Sequence, residues 1–181
     1  MTERGNQQPL ERRMRTLLDE LDYDFSQFTM KGFVDWLEEW RGREIFFIPY
    51  HFQDPRVSGA WWADQTRDYV FYEKQDTPPV LQSHAQLHEI AHMLCGHPIK
   101  LIDTDDVRFL LTPTNEHTST HGSLSLRCTP HDPHDEHEME AEMLASLIQE
   151  RVLSHARLQE LLKTVSSDER VATYLRNLKA Q

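Results

Sequence analysis

His88-Glu89-Ile90-Ala91-His92 is the stretch on which the reading of this chain turns. It sits in a segment that predicts a helix opening at Pro78-Pro79 and running to about Cys95, with Gly96 as its stop and Pro98 beyond. A four-residue spacing puts both imidazoles on one helix face, one turn apart, where they can share a metal ion. Glu89 projects beside them. Zinc held by such a pair lowers the pKa of its water toward ~7 and polarises a scissile carbonyl. Glu89 would not bind the ion; as general base it would accept the water's proton and pass it to the leaving amine. The bland alternative is a helix carrying two surface histidines in a chain with 11 of them.

A catalytic zinc needs a third protein ligand and one open position. The metzincin spacing requires Gly three residues after His92 and His six after it; Cys95 and Pro98 exclude it. His97 falls past the helix stop and reads as poorly aimed, and His84 would put three ligands along one straight helix, where they converge poorly. The better source is a helix opening at Asp132-Pro133, with Asp as cap and Pro at the first helical position. There Glu138, Ala141, Glu142 and Ala145 share one stripe. The alanines let that helix approach the histidine helix closely. Glu138 is the candidate third ligand, Glu140 the fallback, and Glu142 a candidate acceptor for the free ring N–H of a liganding histidine. A solvated acidic face at a helix N-terminus explains three glutamates equally well.

Upstream, Leu10–Leu21 reads as a short amphipathic helix. A second helix, capped by Thr29 and stopped by Gly42, sends Phe33, Val34, Trp36, Leu37 and Trp40 into the core. Strand signals follow at Glu44–Phe52, Gly59–Ala63 and Asp68–Glu73, with a turn at Asp64-Gln65-Thr66-Arg67, and together predict a small antiparallel sheet. Downstream, a short helix is expected near Asp105–Leu111 and a long His-rich loop over 112–131. The helix after Pro133 is expected to end near Ser154, with further helices over Ala156–Thr164 and after Ser167.

The whole chain fits one domain: 1–9 as a disordered N-terminus and 10–181 as a single unit. Thirty acidic against 19 basic residues give a net charge of −11, the wrong sign for a nucleic-acid partner. The first residues lack the apolar stretch of a signal peptide, and no run is long enough to span a membrane. Cys95 and Cys128 do not make a disulfide framework, so a cytoplasmic setting with free thiols is expected. Cys95 reads as a small buried hydrophobe. A carbonyl-oxygen donor or substrate contact could come from Tyr69, Tyr72, Trp61 or the loop histidines.

With these residues in view, the sequence resembles the ImmA/IrrE family of small zinc metallopeptidases. That family's pattern is HExxH, a variable insertion, then ExxA(N/D)xFA; here it reads His88-Glu89-Ile90-Ala91-His92, then Glu138-Met139-Glu140-Ala141-Glu142-Met143-Leu144-Ala145. The likeness covers roughly residues 30–155 and looks closest to short actinobacterial members without a DNA-binding domain. It implies a zincin-like α+β fold, His88, His92 and Glu138 as zinc ligands, Glu89 as general base, and protein substrates, often transcriptional regulators. Glu142 departs from the family's Asn or Asp, Leu144 from its Phe, and the segment between the motifs is long and His-rich.

The resulting expectation is an α+β domain of zincin type, a small antiparallel sheet with a helical majority. Its activity would be zinc-dependent limited proteolysis of a protein or peptide partner. Two rivals are a zinc hydrolase of a small-molecule amide and a catalytically silent regulatory binding module. Nothing in the sequence indicates an oligomeric state.

Overall fold

Local signals position the first helices. Helix α1 spans Arg4–Glu20 and a single 3₁₀ turn follows at Phe25–Gln27. Helix α2 spans Met30–Arg41. Thr29, in extended backbone, accepts a hydrogen bond from the Gly32 N–H at 3.0 Å, and Gly42 ends the helix in the left-handed region (φ 67°). The computed structural model describes residues 4–52, 57–75, 77–98, 100–101 and 135–167. The helix expected at 105–111, the His-rich loop at 112–131, the cap at Asp132-Pro133 and the helix after Ser167 lie outside the described residues.

Strands β1 (Glu44–Tyr50), β2 (Gly59–Ala63) and β3 (Arg67–Glu73) are joined by β4, two residues long (Lys100–Leu101). The expected turn joins β2 to β3: the Asp64 N–H donates to the Arg67 carbonyl at 2.9 Å, and Asp64 Oδ1 accepts from the N–H groups of Thr66 and Arg67, both at 2.7 Å. The sheet order is β1-β3-β2-β4 and the sheet is mixed, not antiparallel. β2 and β3 pair antiparallel, but β1 lies parallel to β3, Ile45 beside Asp68, and β4 parallel to β2. The expectation failed because it took consecutive strands for neighbours. The chain leaving β1 instead passes to the far side of the place β3 will fill, and the hairpin returns β3 into the middle.

Helix α3 spans Pro79–Cys95 and α4 spans Glu136–Ser167. The architecture is α+β with a helical majority. Alternation along the strands splits the sheet into two faces. Val70 and Trp61 face the helices, joining a core built from Met14 and Leu18 of α1, Phe33 and Leu37 of α2, Ile90 and Met93 of α3, and Ala141, Leu144, Ala145 and Ile148 of α4. Ala60, Trp62, Tyr69 and Phe71 face away, forming a smaller cluster with Phe52 and Val57. The two alanines foreseen at the α3–α4 contact are both fully buried.

Three details differ from expectation. Helix α1 begins at Arg4, so residues 4–9, read as a disordered lead-in, belong to its first turns, Pro9 included. Helix α4 runs through Ser154 without a break; no Gly or Pro interrupts it there, and a shift of polar phase alone does not end a helix. Trp40, assigned to the core, is 58% exposed and stacks on Trp36 with ring centroids 5.9 Å apart. Among the described residues no helix is long and apolar enough to cross a membrane.

Candidate metal centre

Helix α3 lies with its His88–His92 face toward the first turns of α4. Asp135 caps α4, its side chain accepting the His137 N–H at 2.9 Å, and so fixes where Glu138 emerges. His88 Nε2 and His92 Nε2 are 3.1 Å apart. Glu138 reaches both: Oε2 is 3.2 Å from His88 Nε2 and Oε1 is 3.6 Å from His92 Nε2. Three donors at tetrahedral angles and bond lengths of ~2.0–2.1 Å around one zinc ion stand roughly 3.3 Å from one another. The observed spacings fit that figure, so these three side chains could hold one ion between them. Glu140 is not part of this set.

The second nitrogen of each histidine is also engaged. His88 Nδ1 is 3.3 Å from Glu142 Oε2, the contact foreseen for Glu142. His84 does not join the ligand set; its Nε2 lies 3.1 Å from the same oxygen and its Nδ1 3.1 Å from Gln149 Oε1. His92 Nδ1 is 2.8 Å from His97 Nδ1, and His97 Nε2 is 2.9 Å from Glu140 Oε2. Glu140 is ion-paired with Arg13 of α1.

Charge follows geometry. The neighbouring imidazoles, His88 first and then His92, hold the Glu138 carboxyl well below the usual carboxylate range, and hydrogen bonds from His84 and His88 do the same for Glu142. Burial pulls the His88 imidazole down, but hydrogen bonds to Glu138 and Glu142 and the charges of Glu89 and Glu138 outweigh it, raising it to about 9. In the metal-free chain that ring carries a proton, which a bound ion must displace. Burial, helped by the charges of His92 and His137, pushes His97 down to about 4, so it is neutral.

Glu89 is 7% exposed, behind the histidine pair and against β2. Burial, with the charge of Glu138 adding to it, pushes its carboxyl up to about 7 against the pull of His88 and a backbone hydrogen bond from Trp61. The fit against β2 is close: a Cβ placed on Gly59 would stand 2.7 Å from Glu89 Oε1. His88, His92, Glu138 and Glu89 line a cleft of about 610 Å³ with Gly59, Trp61, His97 and His137. The cleft runs beside β2 at Gly59–Trp61, where β4 does not pair with it.

Tyr69 and Tyr72 are not brought to this cleft. Tyr69 faces the far side of the sheet and donates its hydroxyl to Asp64 at 2.8 Å. Trp61 lines the cleft, but its indole N–H is committed to Asp68 at 3.0 Å. His97 is the residue that sequence reasoning set aside. The missed signal is Gly96, which takes the left-handed conformation (φ 69°). Its N–H bonds the Met93 carbonyl at 3.2 Å and the His97 N–H bonds the His92 carbonyl at 3.0 Å. This turn brings His97 back beside His92 rather than past the helix end. Compared with known protein families, curated proteins and solved structures, the chain finds no match in any of the three.

Proposed function

We propose that this chain is a zinc-dependent endopeptidase with a zincin-like fold, of the ImmA/IrrE type, acting by limited proteolysis of a protein partner such as a transcriptional regulator. The observation that carries this reading is the convergence of His88, His92 and Glu138 on one point, with Glu89 buried beside them at the wall of an open cleft. Zinc is the ion that two imidazoles and a carboxylate with an open fourth position suit best. Bound there, it supplies a Lewis acid that polarises an amide carbonyl and acidifies water.

The remaining steps belong to the chain. Glu89, ionised, accepts a proton from the attacking water as the new C–O bond forms at the carbonyl carbon. It returns that proton to the amide nitrogen as the C–N bond breaks, leaving a carboxylic acid and an amine. Burial against β2 raises the Glu89 carboxyl in the metal-free chain, which makes it a stronger proton acceptor than an exposed glutamate. Among the described residues no strand pairs with β2 at Gly59 and Ala60 on the side of the cleft, and main-chain groups there could bond an extended peptide, which favours a peptide over a small amide. Of the side chains considered as donors to the carbonyl oxygen, His137 lines the cleft with its ring 4.5 Å from that of His97.

The test has two arms. Purified protein should contain about one zinc per chain, lost in His88→Ala. Incubation with proteins encoded beside this one should give a cleavage product that disappears in Glu89→Gln. Zinc without cleavage would point to the silent binding module. Failure to take up zinc at neutral pH would end the metallopeptidase reading.

A further inference from the structure

Two imidazoles bind one ion only if both present a lone pair to it. A neutral imidazole has one N–H, and the partner of one nitrogen decides which form the other takes. For His88 both nitrogens face carboxylates, Nδ1 toward Glu142 Oε2 and Nε2 toward Glu138 Oε2, so Glu142 keeps the proton on Nδ1 while an ion would take the place of the one on Nε2. For His92 the partner is another imidazole, His97, with the two Nδ1 atoms 2.8 Å apart. That contact works in either direction: His92 can donate, freeing its Nε2 for the ion, or accept, leaving a hydrogen on Nε2 and no metal site.

The direction is set one residue further on. His97 Nε2 lies 2.9 Å from Glu140 Oε2. A carboxylate accepts and does not donate, so the proton of neutral His97 sits on Nε2 and its Nδ1 must accept. His92 then donates from Nδ1 at 2.8 Å, and its Nε2 lone pair is left to accept from His88 Nε2, 3.1 Å away, with Glu138 Oε1 further off at 3.6 Å. On its other side Glu140 is paired with Arg13 of α1. The His97 side chain is 5% exposed and that of Glu140 13%, which leaves little room for water to offer another partner.

We propose that His97 is a positioning residue for the metal centre: through Glu140 and Arg13 it selects the tautomer of His92 that can bind an ion. The proposal rests on the metal reading above and adds three residues outside the candidate ligand set. It makes the centre depend on α1, which contributes no ligand.

The experiment combines zinc affinity by chelator competition with the ¹⁵N spectrum of the histidine rings in the metal-free full chain, at alkaline pH where the rings are neutral. In the wild type His92 should be protonated at Nδ1. His97→Phe, which fills the space without an acceptor, should give a tautomer mixture at His92 and weaken zinc about 10–100-fold. His97→Asn, whose side-chain oxygen can stand where Nδ1 does, should recover most of that affinity. Glu140→Gln, able to donate as well as accept, should behave like His97→Phe. Zinc affinity in His97→Phe within twofold of wild type, or His92 protonated at Nε2 in the wild type, would overturn the proposal. So would a second equivalent of cadmium whose thiolate absorption is lost in Cys95→Ser, because His97 and Glu140 would then serve a second ion with Cys95. A wild type protonated at His92 Nδ1 that takes up no zinc would uphold the relay and sink the metallopeptidase reading.

Discussion

Glu89 shows how one buried side chain can set a stability profile. In the metal-free chain its carboxyl is held up at about 7, above the usual value of 4.5. Between those pH values the unfolded chain is ionised while the folded chain keeps the proton. Stability therefore falls as pH rises through that window, at up to ~1.4 kcal/mol per pH unit. Glu89→Gln has no such proton, so urea unfolding of the metal-free proteins should show wild type losing on the order of 2 kcal/mol relative to the variant from pH 5 to 7.5. A pH-independent difference would mean that water reaches the carboxylate. Gly59 makes the complementary prediction. An alanine there meets Glu89 Oε1 at 2.7 Å and must push the carboxylate off β2. Gly59→Ala should retain zinc affinity within about twofold while cleavage falls about 10²-fold, because a misplaced base is costly even when the ligands are intact. These two roles were unequally visible in the sequence. The type and spacing of Glu89 announced it; the need for glycine at 59 depends on a contact between residues thirty apart in the chain.

Elements that rest on local chemistry were legible in advance. The Thr29 cap, the Gly42 and Gly96 stops and the Asp64 turn all lie where side-chain and backbone preferences put them. The parallel pairing of β1 with β3 was not legible, since register between distant strands is decided by packing that no window of sequence contains. The His97 contact lies between these cases: the glycine was recognised as a stop, but a stop of this kind also reverses the chain. Gly96 adopts φ 69° in open space, so Gly96→Ala meets no clash but carries a left-handed strain of about 1–2 kcal/mol. The expected result is that much lost stability by chemical denaturation, with a weakening of zinc that His97→Phe does not increase further. The sheet is tied to the helices by one fully buried acid. Asp68 accepts from the Trp61 indole at 3.0 Å, from Arg43 at 3.0 Å and from Arg41 at 3.3 Å, while Arg41 also reaches the Met93 carbonyl near the end of α3. Asp68→Ala removes the one carboxylate shared by two guanidinium groups and an indole N–H, leaving the arginines only backbone acceptors, and should cost about 3 kcal/mol, measured by the denaturation midpoint. A cost below about 1 kcal/mol would show that water replaces the carboxylate.

Across the whole molecule, the candidate ligand set joins two residues of α3 to one of α4, fifty positions from His88. An ion that binds only the folded arrangement stabilises it by about 4 kcal/mol at a thousandfold excess over its Kd. The ligand point exists only after α4 has docked on α3, a contact of high sequence separation whose closure entropy favours completion after the folding transition state. Interactions absent from the folding transition state slow unfolding and leave folding alone. Stopped-flow measurements should therefore find unfolding about 10³-fold slower with saturating zinc, and refolding within about twofold of the metal-free rate. An accelerated refolding rate would mean instead that α3 and α4 meet early. The placement of the candidate ligands on two helices so far apart in the chain would thus give a bound ion a role in time: it would set how long the folded protein lasts, and not how quickly it forms.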